Sequence, residues 1–398
     1  MSLFSDVQQA APDAILGLTE QFKADTNPKK VNLGVGVYQD ETGKLPLLRC
    51  IEAAEKKLAE KAAAKGYLPI DGLATYDADV KDLVFGEGSA VQDRVVTVQA
   101  LGGTGALKIG ADFLHQLSPD ATVLISNPSW ENHQALFTRA GFTVDKYTYY
   151  DAAAKGVDFD GMIADLKAAA PGTIVVLHAC CHNPTGYDLT DEQWDQVVET
   201  VLAGDLVAFL DMAYQGFSEG LEQDGAVVRK FAERVPSFFV STSFSKSLSL
   251  YGERVGALSI VCADAEEAKR VLSQVKIVIR TNYSNPPTHG ALLAATVLSD
   301  ADLRAQWVEE LGEMRDRIKS MRTALVAGLE DAGVEGDFSY ITDQVGMFSF
   351  SGLTKDQMVR LRNEFGVYGT DTGRICVAAL NTGNIAHVSE SIAAVLKG

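Results

Sequence analysis

Five short apolar runs punctuate the middle of the chain: residues 122–126 (TVLIS), 173–178 (TIVVLH), 206–210 (LVAFL), 238–241 (FFVS) and 257–261 (ALSIV). Each has the length and the β-branched or aromatic content of a strand buried on both faces. Amphipathic helical patterns, such as residues 191–202, separate several of them. That order predicts an α/β fold, with a mostly parallel sheet flanked by helices. A different rhythm follows. Leu311, Met314, Ile318, Met321, Leu325 and Leu329 recur every three or four positions, which predicts a long helix with one apolar face, ended by Gly333. Beyond it, residues 348–350, 355–365 and 375–377 suggest a smaller α+β unit, and residues 31–38 are expected to join it. The predicted organisation has three parts. Residues 1–45 form an N-terminal arm and part of the small domain, residues 46–310 the large domain, and residues 311–398 the connecting helix and the rest of the small domain.

The 398 residues suffice for roughly two domains. No apolar run approaches the roughly 18 residues of a membrane helix. A net charge of −18 argues against nucleic acid or anionic membrane as a partner, but not against a small anionic substrate in a basic pocket. The five cysteines, two of them adjacent at Cys180 and Cys181, fit reduced buried thiols. No second Cys or His pair stands at ligand spacing, so no metal is expected. The opening MSLFSDVQQ lacks the basic and long apolar regions of a signal peptide, and a cytoplasmic location is expected.

The chemistry centres on residues 243–256, SFSKSLSLYGERVG. A lysine that loses its charge forms a Schiff base with an aldehyde, and nearby serines and an arginine hold a phosphate. Lys246, with Ser243, Ser245 and Arg254, therefore suits pyridoxal phosphate, an aldehyde that carries a phosphate. The window LGGTGALK, with Gly103 and Thr104, opens a helix whose amides and dipole favour an anion. The Gly-x-Gly-x-x-Gly spacing of a dinucleotide site is absent there. Asp211 ends a strand run at the sheet edge where ligands of open α/β folds gather, and its carboxylate can pair with a protonated pyridine nitrogen. Tyr214 and Asn183, the latter displayed by His-Asn-Pro-Thr-Gly, are within reach of the ring hydroxyl. Trp130 offers an indole to stack on the ring, and His133 can orient Asp211 from behind. His178 and His182 read as packed residues. Arg280 and Arg374 are candidate carboxylate clamps, which would suit a dicarboxylate.

Read in order, these segments resemble the class I aminotransferases of pyridoxal phosphate fold type I, in the aspartate and aromatic amino-acid subgroup. VNLGVGVY at 31–38, GYLPIDG at 66–72, the Gly-Gly-Thr-Gly helix start, the Trp130 loop, CCHNPTG, DMAY, the Lys246 block, SNPP with His289 and Gly290, and Arg374 all match. The resemblance implies that Lys246 is the Schiff-base lysine and the base at the substrate's α-carbon, with Asp211 and Tyr214 completing the catalytic set. Gly103, Thr104, Ser243, Ser245 and Arg254 would hold the phosphate. Arg374, aided by Asn183, Trp130 and Gly36, would hold the α-carboxylate. Arg280 of a partner subunit would meet the side-chain carboxylate, and Tyr67 would reach the partner's phosphate. A homodimer with shared active sites follows, with residues 1–10 as an arm over the neighbour. The substrates implied are amino acids and 2-oxo acids. Val37, Thr104 and Asn285 look like the aspartate type, whereas Gln39, Leu45 and Gly66 depart from it and allow a wider pocket. Aspartate is the expected substrate, aromatic amino acids the alternative. A non-catalytic regulator would need an N-terminal DNA-binding domain, yet the match begins by about residue 31. Two arginines argue against a lyase or decarboxylase.

Overall fold

The computed structural model describes residues 2–10 and 15–397. Met1, residues 11–14 and Gly398, which fall within the expected terminal units, lie outside the described residues. The centre is a seven-stranded sheet: β1 (Val95–Leu101), β2 (Thr122–Asn127), β3 (Thr143–Thr148), β4 (Ile174–His178), β5 (Val207–Met212), β6 (Phe238–Ser243) and β7 (Val255–Val261). Their spatial order is β1-β7-β6-β5-β4-β2-β3. The four pairings from β6 to β3 are parallel, and β7 runs antiparallel between β1 and β6. The mostly parallel sheet expected from the apolar runs is thus present.

Both faces are buried, and alternation along each strand feeds two cores. Val175 and Leu177 of β4 join one, while Ile174 and Val176 join the other. Two strands lacked an apolar run. In β1, VVTVQAL, Thr97 and Gln99 interrupt the pattern; β3, TVDKYT, is an edge strand with exposed polar positions.

The long helix spans Ala301–Asp331, ten residues earlier at its start than the periodic leucines alone indicated. Asp300 caps it by accepting from the amides of Asp302 and Leu303. The extra turns are useful. Trp307 is fully buried and its indole N–H donates to the Ser247 carbonyl at 2.6 Å, which pins the segment just after Lys246. Glu310 accepts from the amides of Arg49 and Cys50, at 2.6 and 3.0 Å, and so caps the helix Arg49–Lys61.

The two ends of the chain meet. Val31–Asn32 pairs in parallel with Val367–Tyr368, and Phe348–Phe350 pairs antiparallel with Arg374–Cys376. The buried Arg322 ties these pieces to the long helix by donating to the carbonyls of Ile341, Gly346 and Phe348 at 3.2, 2.8 and 2.6 Å. Among the described residues no helix is long and apolar enough to cross a membrane.

Candidate active site

The C-terminal ends of β4 and β5 open into a cavity of about 330 Å³, lined by Gly36, Gly103, Thr104, Trp130, His178, Asn183, Asp211, Tyr214, Ser243, Ser245, Tyr251, Lys246 and Arg254 among others. Position follows from topology, because loops that leave parallel strands gather at one sheet edge. Asp211 is 4% exposed, and His133 Nε2 lies 2.9 Å from its Oδ2. Ser129 Oγ lies 2.9 Å from His133 Nδ1 and fixes the far side of that ring. Burial pushes the Asp211 carboxyl upward. The hydrogen bond from His133, with the electrostatic influence of His133, His178 and Lys246, outweighs it and holds the group below the usual carboxylate range. A buried carboxylate kept ionised is the right partner for a protonated ring nitrogen.

One wall is built to take an anion. Strand β1 runs straight into the helix Gly102–Leu117. Gly102 has φ +68°, and a Cβ there would lie 2.6 Å from Arg254 Nη2. At Gly103 a Cβ would press on Ser243 Cβ at 3.3 Å. The missing side chains let the guanidinium and the serine hydroxyl close on the helix N-terminus, whose amides and dipole favour negative charge. Arg254 Nη1 donates to Ser245 Oγ at 3.3 Å and to the Tyr251 carbonyl at 3.0 Å. The set fits a phosphate.

Lys246 projects from the turn after β6, with Nζ 4.9 Å from the centre of the Tyr214 ring. Burial lowers its amine to about 8; Asp211 pulls it back up and Arg254 pushes it further down. Some neutral amine, about a tenth at pH 7, therefore exists near neutral pH, and nucleophilic attack on an aldehyde requires it.

A second chamber of about 460 Å³ shares Gly36, Trp130, Asn183, Tyr214 and Lys246 with the first and adds Ile15, Glu131, Phe348 and Arg374. Arg374 is 1% exposed. Its Nη1 donates to Asn183 Oδ1 at 3.1 Å and its Nη2 to the Gly34 carbonyl at 2.8 Å, with the guanidinium 4.3 Å above the Phe348 ring. Nε has no hydrogen-bond partner among the described residues. The pair with Asn183 fixes which way that amide faces: Oδ1 is occupied, so the Nδ2 protons remain to be donated. A Cβ on Gly36 would come 2.5 Å from Phe348 Cζ, so only glycine lets Phe348 lie there.

Fourteen candidate site residues came from the sequence, and twelve line one or both cavities. Arg280 and Tyr67 do not. Arg280 is exposed and hydrogen-bonded to Ser284; Tyr67 is 97% exposed. The fold also adds residues to which the sequence gave no role in the site. Phe348 supports Arg374. The Tyr251 hydroxyl accepts from the Tyr38 amide at 3.0 Å and lines the inner cavity. His178, read as a packed residue, lines that cavity too. Tyr251 lies within the Lys246 block but was given no role there; Phe348 and His178 are brought in by strand register.

The chain is similar to known proteins. Residues 28–392 match the family model described as aminotransferase class I and II. The chain is 60% identical, over the full length of both proteins, to an aspartate aminotransferase of Pseudomonas aeruginosa. It is 49% identical over 397 residues, 99% of this chain and all of the relative, to an aromatic-amino-acid aminotransferase of Escherichia coli. Its fold matches, with a TM-score of 0.97, 64% identity and complete coverage of both chains, the crystal structure of an aromatic-amino-acid aminotransferase from Burkholderia pseudomallei covalently bound to pyridoxal phosphate. With its seven-stranded α/β core and its lysine-centred cavity, the chain belongs to the class I and II aminotransferases.

Proposed function

We propose that this chain is a pyridoxal phosphate-dependent aminotransferase that moves an amino group between aspartate or glutamate and a 2-oxo acid. The observation that carries the reading is the inner cavity, where a lysine of lowered basicity, an ionised buried aspartate and an anion-binding helix start face one space. The roles are those the sequence suggested. Gly103, Thr104, Ser243, Ser245 and Arg254 would hold the phosphate, Asp211 the ring nitrogen, and Asn183 and Tyr214 the ring hydroxyl. Trp130 would lie against the ring face.

Bound there, the cofactor supplies an aldehyde for the amino group and a ring that draws electrons from the substrate's α-carbon. The protein does the rest. Arg374 orients the substrate by its α-carboxylate, and its two anchors keep the guanidinium in place before substrate arrives. Lys246 Nζ takes the proton from the α-carbon, a task its lowered basicity suits near neutral pH. Asp211, held anionic by His133, keeps the positive charge of the ring nitrogen. Trp130 and Tyr214 wall the reacting atoms from solvent.

The side-chain carboxylate of aspartate has no cation reserved for it in the outer chamber beyond Arg374 and Lys246, and Glu131 adds negative charge there. We therefore assign that carboxylate to Arg280 of a second copy in a homodimer. Two exposed features support this: the Arg280 guanidinium carries no acidic partner among the described residues, and Leu3, Phe4 and Val7 of the arm are 88%, 70% and 72% exposed. Residues 46–310 would then be the cofactor-binding domain, and residues 1–45 with 311–398 the arm and the smaller domain. A second reading, aromatic amino acids as substrates, is favoured by the apolar Ile15, Trp130, Ala135 and Phe348 in the same chamber. Measuring kcat/KM for aspartate, tyrosine and phenylalanine with 2-oxoglutarate separates the two. Aspartate at least tenfold above both aromatics is the result expected.

A further inference from the structure

His133, His178 and Asp211 offer three ligand atoms that all lie within 4.8 Å of one another. They are far apart in sequence, and the fold assembles them. His178 and Asp211 are in register on adjacent parallel strands, so their side chains leave the sheet on the same face. His133 comes from the helix Glu131–Ala140. The three are 0%, 8% and 4% exposed. His178 is the anomaly. It lines the inner cavity, yet both ring nitrogens are buried and neither has a hydrogen-bond partner among the described residues. Buried polar atoms rarely stay unpaired, so an orphaned imidazole facing a cavity points to a ligand.

We propose that the cofactor-free chain binds one divalent transition-metal ion, with Zn²⁺ the best match, through His133, His178 and Asp211, in competition with the cofactor. This rests on the reading that the cofactor's ring nitrogen pairs with Asp211. Two imidazoles and a carboxylate are a zinc-type donor set, not one for Mg²⁺ or Ca²⁺. Ligands at about 2.1 Å from a tetrahedral ion stand about 3.4 Å apart. The His133–Asp211 contact of 2.9 Å must open slightly, and the others close by small side-chain rotations. Ser129 makes this easy. When His133 carries its proton on Nδ1, Ser129 Oγ accepts it at 2.9 Å and Nε2 presents a lone pair, the arrangement that orients metal-bound histidines. Water from the cavity fills the remaining coordination position. Asp211 Oδ2 cannot serve an ion and a ring nitrogen at once, hence the competition.

The test uses the full-length chain, stripped of cofactor or fully loaded, dialysed against buffered ZnCl₂. Stripped protein takes up one Zn²⁺ per chain, and loaded protein binds it at least tenfold more weakly. The stripped His178→Phe variant, checked for folding by circular dichroism, also loses at least tenfold in affinity. Cobalt in place of zinc gives visible absorption bands in the stripped protein that vanish when pyridoxal phosphate is added. Equal zinc uptake by stripped and loaded protein, or undiminished uptake by folded His178→Phe, overturns the proposal. If the variant does not fold, the wild-type comparison decides alone. Stripped chain that regains its yellow colour with pyridoxal phosphate but takes up no zinc removes the metal site and leaves the cofactor reading standing. Chain that never regains colour removes the cofactor reading, and zinc uptake with its loss in His178→Phe then judges the metal site by itself.

Discussion

Arg374 and Asn183 meet across 191 residues of chain, Arg374 Nη1 donating to Asn183 Oδ1 at 3.1 Å. One contact thereby couples the side chain proposed to clamp a substrate carboxylate to the amide proposed to face the cofactor ring. Asn183→Ala should weaken both. Hydrogen bonds to charged groups contribute about 1.5–3 kcal/mol, so kcat/KM should fall about 10- to 150-fold. The absorption maximum of the bound cofactor should also move, because the ring oxygen loses a donor. Steady-state kinetics and a visible spectrum check this. A fall in kcat/KM with an unmoved spectrum would separate the two roles.

Gly36 bears on the same clamp from the other side. A methyl group there would meet Phe348 Cζ at 2.5 Å, and Phe348 carries the Arg374 guanidinium 4.3 Å above its ring. Overpacking of this kind costs about 1–3 kcal/mol. Gly36→Ala should lower kcat/KM about 5- to 150-fold, mainly through KM, with cofactor binding retained. Kinetics at fixed cofactor occupancy measure it; an unchanged KM would show that Phe348 moves without disturbing Arg374.

The acid side of the pH profile should report on His133. Burial alone raises the Asp211 carboxyl, and the hydrogen bond from His133 leads the effects that reverse it. Remove His133 and the carboxyl titrates higher, so the anion needed at the ring nitrogen is lost at a higher pH as acid is added. His133→Leu should shift the acid limb of kcat/KM to higher pH. A limb that stays in place would mean that Asp211 keeps its charge by other means.

Lys246 should titrate apart from ordinary lysines. In cofactor-free protein its amine, lowered chiefly by burial to about 8, is mostly neutral above that pH. Labelling by an amine-reactive reagent, followed at the Lys246 peptide, should be half-maximal near pH 8, well below the roughly 10.4 of a solvated lysine. A midpoint near the solvated value would show the amine to be open to water.

These groups differ in how plainly the sequence announced them. Strands β2, β4, β5, β6 and β7 were legible as short, largely apolar runs, because burial on both faces leaves little polar alternation. β3 was not, since an edge strand with exposed Asp145 and Lys146 has no such run. Lys246 and Asn183 stood out because each sits in a loop whose glycine, proline or hydroxyl neighbours have a backbone or phosphate-binding purpose, and Asp211 because a carboxylate ends an apolar strand run. Phe348, Tyr251 and His178 did not, because their role comes from register and tertiary packing. Arg280 and Tyr67 were named from the sequence yet do not line either cavity of their own chain.

Substrate choice tests the role proposed for Arg280. If Arg280 of a second copy meets the side-chain carboxylate, Arg280→Ala should cut kcat/KM for aspartate at least tenfold more than for phenylalanine, since a lost pairing to a charged group is worth about 1.5–3 kcal/mol. Parallel assays with both amino acids give the ratio. Equal losses would remove Arg280 as the clamp and leave the apolar lining of the outer chamber to define the substrate.

The attachment point of the cofactor tests the account most directly. Purified protein loaded with pyridoxal phosphate is reduced with borohydride, which fixes the cofactor on whichever amine holds it, and is then digested and analysed by mass spectrometry. The account predicts a pyridoxyl phosphate group on Lys246 alone, at one per chain. A group on another lysine, or none, would contradict it.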